Sequence, residues 1–365
     1  MRTSNKRRIG WVIADQLDTM PYWPRIDTRV GGISLARLHW IIPRINNDPE
    51  SGFHYEVYRP WGRYDGLVFL KSMGEKAHGL AMRYERRDKP IIFDANVNYY
   101  SATGVEHYRG MLPTYKQQQD AIAMTSVANA VIADSNYIAE QCQSYNEDVT
   151  WIADNIEVGR ISAVCERSKS QSRRLVWCGE AIKLFELLLI EEPLRRFASD
   201  LRLIVVTNDL STIARWKSEY RTRLMRLLRD LDATVETFTN LEALFKIYQQ
   251  ADVVLSPRFL DNSYNLGHTE WKITLGMACG CIAMASPVPS YSLVRDLAQK
   301  EVVVLCETQD EWTAGFEELL SQKISGGLRQ AARCVVDQHY SAQVLAKKHV
   351  KLMKRVFNDQ DSHLT

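Results

Sequence analysis

Short apolar runs alternate with longer stretches of helical periodicity along this chain. In the first half, apolar runs lie at residues 9–14, 66–70, 91–94, 130–133 and 149–153, with polar or acidic residues at their ends. Continuous runs of Val, Ile and Leu without strict alternation are typical of parallel strands that are covered on both faces. Strands and helices in turn indicate an α/β open sheet.

A polar, Ser-rich stretch at residues 166–174 is predicted to be a linker between two halves. After it the alternation restarts, with apolar runs at 175–178, 203–206, 253–256, 282–285 and 302–305. A further, more polar strand is predicted at 234–237 and a helix at 184–197. We therefore predict two Rossmann-like α/β lobes with parallel sheets, over residues 1–168 and 169–340. Residues 341–365 are predicted to form a helix that packs back on the first lobe. Ligands of such sheets bind at the carboxyl ends of strands, which favours a site in a central cleft.

Composition and charge narrow the function classes. The 365 residues are 45% hydrophobic, and 46 Lys and Arg balance 44 Asp and Glu. Such a chain can bury a large core, which excludes disorder, and its net charge of +2 argues against a dedicated nucleic-acid binder. The seven cysteines are scattered in apolar surroundings, as in proteins of a reducing compartment. Cys279-x-Cys281 has the wrong spacing for a zinc site, so we predict no bound metal.

The N-terminal residues are basic like those of a secretion signal. The apolar run behind them stops at Asp15. A secretory signal needs about 7–15 apolar residues and a membrane-spanning helix about 20, and nothing in the sequence reaches either length. We therefore expect a cytoplasmic protein.

The segment from residue 251 to 280 carries the most informative chemistry. A predicted strand is followed by a polar loop, and a helix is predicted to begin near Thr269 as its N-cap. Free backbone N–H groups at such a helix start attract phosphate, and Lys272, as the third helical residue, adds a full positive charge. Gly276 and Gly280 allow the helix to pack tightly, and Gly280 can also end it. An ordinary βαβ unit with a solvated lysine is the alternative.

These features, taken in order, resemble the donor-binding half of GT-B glycosyltransferases. The resemblance rests on the strand at 252–256, on Lys272, on residues 276–280 and on the strand at 282–286 with Tyr291. Three further segments fall in the same order as in that family, at residues 130–137, 175–179 and 338–341. The resemblance spans nearly the whole chain. It implies that the second lobe binds a nucleotide-sugar donor and the first lobe an acceptor.

The resemblance also implies which residues bind the donor. GT-B enzymes typically neutralise the leaving diphosphate with basic side chains and backbone amides rather than with a metal. By that pattern Lys183 and Lys272 contact the diphosphate, and Gly179 keeps the loop open for close approach; a solvated Lys183 is the alternative. Gly31 and Gly32, on the loop after the first strand, place their amides near the donor phosphates. No cofactor is expected beside the donor, a UDP-, GDP- or dTDP-sugar.

One part of the family pattern is absent. Retaining enzymes of the large family-four group carry two Glu residues separated by seven positions, and the corresponding residues here are Gly267 and Leu275. Glu270 and His268 lie close in sequence and could substitute as catalytic groups. Asn265 belongs to the same polar loop and could hydrogen-bond the donor, or the loop could only cap a helix. The retaining or inverting outcome stays open.

Candidate acceptor-side features lie mainly in the first lobe. Asp94 closes the predicted strand at 91–94 and is a candidate general base toward an acceptor hydroxyl, or an aspartate that caps the next turn. Asp15 and Asp18 are weaker candidates of the same kind. A basic amphipathic helix predicted at 215–229 could lie on an anionic membrane, or could pack its apolar stripe on the core of the second lobe.

Three functions are compatible with these features. The first is a glycosyltransferase that moves a hexosyl or deoxyhexosyl group to a saccharide or lipid-linked glycan, in surface polysaccharide or glycoconjugate biosynthesis. The second is a nucleotide-sugar epimerase of the same two-lobed fold, which would need carboxylates and a histidine together in the cleft; the eight histidines show no such cluster in the sequence. The third is a non-enzymatic two-domain ligand-binding protein, which the cytosolic cysteine usage disfavours.

Overall fold

Two six-stranded parallel sheets form the framework of the chain. The computed structural model describes residues 6–13, 17, 35–162, 172–216, 218–298 and 300–363. The first sheet has the order β2-β1-β3-β4-β5-β6 and contains β1 (Arg7–Ile13), β2 (Phe53–Val57), β3 (Gly66–Leu70), β4 (Ile91–Ala95), β5 (Ala130–Ala133) and β6 (Val149–Trp151). The second has the order β12-β11-β10-β7-β8-β9 and contains β7 (Arg173–Cys178), β8 (Leu201–Thr207), β9 (Thr234–Thr237), β10 (Val253–Ser256), β11 (Ile282–Ala285) and β12 (Val303–Leu305).

Helices connect these strands and cover both sheets. The α-helices of the described ranges are α1 (Ile41–Asn47), α2 (Glu75–Glu85), α3 (Tyr115–Val127), α4 (Asn136–Gln143), α5 (Glu191–Arg196), α6 (Ser218–Asp230), α7 (Leu241–Gln250), α8 (Ser263–Leu266), α9 (Trp271–Ala278), α10 (Pro289–Leu297), α11 (Gln309–Ser321), α12 (Gly326–His339) and α13 (Ala342–His363). Shorter helical segments are the π-helix Leu35–His39 and the 3-10 helices Val158–Arg160, Ala181–Ile190 and Leu210–Arg215.

The predicted alternation of strands and helices is confirmed, with two differences. Strand β2 is absent from the prediction because its sequence alternates: Phe53 and Tyr55 are buried, while His54 between them is exposed. The helix predicted at 184–197 is instead a 3-10 helix, Ala181–Ile190, followed by α5.

Helix α9 begins later than the sequence predicts. Thr269 has the side chain of an N-cap, but α9 starts at Trp271 with Glu270 in the N-cap position. Lys272 is therefore the second helical residue rather than the third. The Thr269 hydroxyl donates instead to Asp154 Oδ2 of the first lobe, 3.1 Å away. The hydroxyl therefore bonds to a carboxylate distant in sequence instead of capping α9.

The two lobes touch along a seam, which we call the lobe seam. The loop after β4 crosses to the second lobe, where Val105 N donates to Asp261 O over 3.0 Å and Ser263 N donates to Thr103 O over 3.0 Å. On the same loop, His107 Nε2 lies 3.0 Å from Asp261 Oδ1. These contacts bring residues at the carboxyl ends of both sheets close to each other.

Helix α13 follows the second lobe and lies on the first. Its His349 ring is 5.8 Å from the Trp11 ring of β1. At the start of α13, Ala342 N donates to Ile156 O over 2.8 Å. The predicted linker at 166–174 lies mostly outside the described residues, and β7 begins at Arg173.

Helix α6 corresponds to the basic amphipathic stretch of the sequence. Its apolar residues Leu224, Leu227 and Leu228 are buried. Just before the helix, Trp216 Nε1 donates to Ile182 O over 2.7 Å. The apolar stripe therefore packs on the core of the second lobe. Within the described ranges, none of the helices combines the length and the apolar character needed to cross a membrane.

Candidate active site

Three cationic side chains meet at the carboxyl ends of β7 and β10. Lys183 lies on the 3-10 helix after β7, Arg258 follows β10, and Lys272 lies in the first turn of α9. A buried carboxylate, that of Glu186, accepts a hydrogen bond from Arg258 Nη1 at 2.7 Å. We call these four residues the cation cluster. Three basic side chains face one carboxylate there.

The Lys272 ammonium has no hydrogen-bond partner. Its Nζ atom is buried and lies 4.5 Å from the centre of the Trp177 ring. Burial, followed by the positive charge of Arg258, lowers the pKa of Lys272 well below its ordinary value. Arg258 Nε and Glu186 Oε2 are also buried without hydrogen-bond partners. Buried polar atoms are normally satisfied, so the two free donors, Lys272 Nζ and Arg258 Nε, fit an anion with several oxygen atoms.

His268 lies beside the cation cluster and is held neutral. Its Nε2 is 3.5 Å from Lys183 Nζ, and its ring stands edge-on to Tyr264 with 5.0 Å between ring centres. Burial, and then the charges of Arg258 and Lys183, lower the pKa of His268 well below its ordinary value. A neutral imidazole accepts through one nitrogen and donates through the other, so His268 can accept from Lys183 and donate to a ligand.

Gly179 and Asn265 border the same region. A Cβ atom on Gly179 would lie 3.1 Å from Lys272 Nζ, so a larger residue would displace the ammonium. Asn265 is buried on α8, where its Nδ2 donates to Phe259 O over 2.9 Å and its Oδ1 has no partner. Asn262 accepts from Asn265 N at 2.9 Å and so caps α8. The polar loop thus contains one capping residue and one free amide oxygen.

Four carboxyl groups surround one guanidinium at the lobe seam. Arg37 binds Asp94 with an Nη2–Oδ1 distance of 2.9 Å and Asp154 with an Nη1–Oδ1 distance of 3.4 Å. The other two carboxyl groups, Asp134 and Glu270, are buried and have no hydrogen-bond partner on either oxygen. We call these five residues the acid cluster. Asp94 is the last residue but one of β4, while Asp134 and Asp154 follow β5 and β6, so one edge of the first sheet brings the three together.

Burial raises the pKa values of the carboxyl groups in the acid cluster. The pKa of Asp94 rises to about 6 and that of Glu270 to about 8, and the pKa of Asp134 rises well above its ordinary value. Both oxygens of Asp94 accept from Arg37 Nη2, at 2.9 and 3.1 Å. The structure thus places Asp94 in a buried ion pair with Arg37, a partner that neither sequence interpretation, general base or turn cap, includes.

Solved structures reveal the fold class of the chain. No protein-family model and no curated protein matches the sequence. Sucrose-phosphate synthase from Thermosynechococcus elongatus is similar in structure, with a TM-score of 0.68 at 12% identity over 97% of this chain and 100% of that chain. HepE from Anabaena in complex with UDP and glucose has a TM-score of 0.67 at 12% identity, over 96% and 100%. The chain has the GT-B fold.

A third structure with the GT-B fold supports the same conclusion. AviGT4, a glycosyltransferase involved in avilamycin A biosynthesis, has a TM-score of 0.61 at 10% identity over 97% of this chain and 98% of that chain. The fold that the sequence resemblance implies is therefore confirmed. At these identities the likeness concerns the fold, and the chemistry of the site follows from this chain's own residues.

The geometry of the lobe seam explains why the Glu pair of family-four GT-B enzymes is missing here. A Cβ atom on Gly267 would lie 2.7 Å from Asn98 Cβ of the first lobe, so any larger residue would push the lobes apart. The Asn98 Nδ2 donates across the same seam to Ser263 O over 2.9 Å. Leu275, at the second position of the pair, is buried in the core. A carboxylate at position 267 would have to move its neighbours, and one at position 275 would be buried in the apolar core.

Most of the second-lobe residues predicted from the sequence lie close together. Lys183, His268 and Lys272 lie in or beside the cation cluster, and Glu270 lies in the acid cluster. Among the residues that the structure describes, no three His, Cys, Asp or Glu side chains are arranged to hold a metal ion. The other predicted residues lie outside the described ranges: Gly31, Gly32, Asp15 and Asp18.

Replacing Glu270 with glutamine is expected to change how stability depends on pH. The pKa of Glu270 rises from its ordinary value of 4.5 to about 8 in the folded chain. Between these values the folded state holds a proton that the unfolded state has released, so the contribution of Glu270 to stability falls as the pH rises. The stability of the wild type relative to Glu270→Gln, from urea denaturation, should therefore fall from pH 5 to pH 8, so that the variant becomes the more stable protein at the higher pH. A difference that stays constant over this window would contradict the raised pKa.

Proposed function

We propose that this chain is a glycosyltransferase that moves a sugar from a nucleotide-sugar donor to an acceptor hydroxyl. The observation that supports this most strongly is the cation cluster, where the Lys272 ammonium is buried without a partner. A nucleoside diphosphate offers the anionic oxygens that such a cluster can bind. HepE, which shares the fold, is bound to UDP and glucose in one structure and to UDP-glucose in another.

In the proposed reaction the cation cluster stabilises the leaving diphosphate. As the bond between the sugar and the diphosphate oxygen breaks, negative charge grows on that oxygen, and fixed cations in a buried site stabilise it. Lys183, Arg258 and Lys272 supply these charges, and Gly179 leaves room for a phosphate beside Lys272. The charge balance of this cluster favours a metal-independent transfer. The donor we propose is a UDP-, GDP- or dTDP-linked hexose or deoxyhexose.

The donor sugar is proposed to lie between the cation cluster and the acid cluster. His268 reaches the first cluster and Glu270 belongs to the second, so this short segment spans both. We propose that neutral His268 donates to a sugar hydroxyl and that Glu270 and the free amide oxygen of Asn265 contact the donor. The amides of Gly31 and Gly32 are proposed to approach the phosphates from the first lobe.

The acceptor is proposed to be a saccharide or a lipid-linked glycan bound by the first lobe. This would place the reaction in surface polysaccharide or glycoconjugate biosynthesis, at the cytoplasmic face of the membrane. The exposed face of α6 is rich in arginine, with Arg221, Arg226 and Arg229 in the solvent. Such a face suits contact with anionic lipids, while the apolar stripe of the helix stays in the core.

A nucleotide panel tests the proposed function. UDP, GDP, dTDP and CMP are titrated by ligand-observed NMR, and the sugar conjugates of the best binder are then incubated with the protein. We expect one diphosphate to bind at millimolar concentration or below, and its sugar conjugate to release free nucleotide in the presence of an acceptor. Absence of binding by all four nucleotides would overturn the proposal. Conversion of the donor to an epimer without any acceptor would identify an epimerase instead. The carboxyl groups of the acid cluster are the observation that favours testing this second function.

A further inference from the structure

The segment that carries His268 and Lys272 is held by the first lobe. It begins at Gly267, directly after α8, and enters α9 at Trp271. Three contacts join it to the carboxyl edge of the first sheet: Ser135 Oγ to Gly267 O at 3.4 Å, Thr269 Oγ1 to Asp154 Oδ2 at 3.1 Å, and Trp271 Nε1 to Asn155 O at 3.2 Å. The position of two candidate donor-binding residues of the second lobe thus depends on contact with the first.

We propose that Thr269 and Asp154 are positioning residues, whose hydrogen bond across the lobe seam sets Lys272 in place for the diphosphate. This inference rests on the proposed function and adds a role for the lobe contact to it. In this arrangement the bond fixes Thr269, three residues before Lys272, and without it the loop before α9 would lose an anchor.

The Asp154 side of this contact is rigid. Asp154 is buried and bound to Arg37, which is itself fixed by the paired carboxylate of Asp94. Its second oxygen, Oδ2, accepts from the Thr269 hydroxyl. A hydrogen bond to a carboxylate is stronger and more directional than a neutral one, so a hydroxyl at position 269 is held in a narrow range of positions.

The Thr269 side transmits this position to the cation cluster. Thr269 directly follows His268 and lies three residues before Lys272, just ahead of α9. The first residue of α9, Trp271, is itself anchored, because its Nε1 donates to Asn155 O. Because only Glu270 and Trp271 separate Thr269 from Lys272, a shift of Thr269 moves Lys272 with it. Lys272 is the member of the cation cluster with no partner in the protein, so it has no side-chain hydrogen bond that would hold it independently.

Two substitutions at one position test this role. Thr269→Val keeps the shape of the side chain but removes the hydroxyl, and Thr269→Ser keeps the hydroxyl. Dissociation constants are measured by calorimetry for UDP and UMP, or for the matching pair of the nucleoside that the wild type prefers, together with unfolding by urea. We expect the preference for the diphosphate over the monophosphate to fall roughly tenfold in Thr269→Val and to stay within about twofold of wild type in Thr269→Ser.

The outcomes separate this inference from the proposed function. A wild type that binds neither nucleotide would overturn both. A wild type that prefers the diphosphate, with the same preference in Thr269→Val, would overturn the positioning role alone. An equal loss of affinity for both nucleotides, accompanied by lower stability, would mean that the hydroxyl serves only the fold and would also overturn it.

Discussion

Lys272→Met is expected to weaken nucleoside diphosphate binding on the order of 100-fold while making the folded chain more stable. The loss of affinity follows because a charged hydrogen bond to phosphate contributes about 1.5–3 kcal/mol, and Lys272 Nζ makes no hydrogen bond in the protein that the phosphate would have to replace. The gain in stability follows because a buried amino group without a hydrogen-bond partner opposes folding, by about 1–3 kcal/mol, whereas methionine is apolar and of similar length. Calorimetry with the diphosphate and urea denaturation of the free protein measure the two effects.

The control for this variant is a lysine against an aromatic ring outside the site. Lys89 Nζ lies 5.7 Å from the centre of the Tyr84 ring and donates to Tyr64 O, before β4 and away from the lobe seam. Lys89→Met should leave the affinity for the diphosphate within about twofold and should lower the stability, because this ammonium is satisfied in the fold. If Lys272→Met lost stability as Lys89→Met does, or kept full affinity, Lys272 would be a structural lysine.

Arg37→Met is expected to destabilise the chain by about 3–5 kcal/mol at neutral pH. The substitution leaves the carboxylates of Asp94 and Asp154 buried without their common partner. Because burial raises the pKa values of both groups, they take up protons more readily when the guanidinium is lost, and the destabilisation should be smaller at pH 5 than at pH 7. Urea denaturation at the two pH values measures the difference.

The double variant Arg37→Met with Asp94→Leu provides the matched comparison. It removes the ion pair as a whole, so a large part of the stability should return, since one buried charge no longer lacks its partner. Two results would contradict this contribution of the ion pair to stability. One is a loss of less than about 1 kcal/mol in Arg37→Met. The other is a double variant that is less stable than Arg37→Met by as much as Asp94→Leu alone destabilises the wild type.

The fold could be predicted from the sequence because its signals are local. Buried parallel strands appear as continuous apolar runs, and most strands of both sheets lie where such runs occur. Strand β2 is the exception, because its alternating residues Phe53, His54 and Tyr55 do not form a run. The order and spacing of weak motifs then indicated the GT-B architecture, which periodicity alone could not distinguish from other α/β folds.

The site could be predicted only in part, because much of it is made by distant pairs. Lys183 and Lys272 could be named since each follows a strand in a recognisable pattern. Arg258 and Glu186 are 72 residues apart, and Arg37 and Asp94 are 57 residues apart, so neither pair gives a local signal. Thr269 also shows that a local signal can mislead. Its residue type predicts an N-cap, but its hydroxyl donates to Asp154, which is 115 residues away in sequence and lies on the other lobe.

Proton uptake on nucleotide binding tests most directly whether Lys272 and its neighbours form the diphosphate site. The pKa of free Lys272 is lowered by burial and by Arg258, and a bound diphosphate would restore its charge. Calorimetric titration of the preferred diphosphate at several pH values between 7 and 10, in buffers of different ionisation enthalpy, should reveal more proton uptake per nucleotide in the wild type than in Lys272→Met. Binding with no proton uptake in the wild type, or with the same uptake in both proteins, would contradict the claim that Lys272 and its neighbours form the diphosphate site.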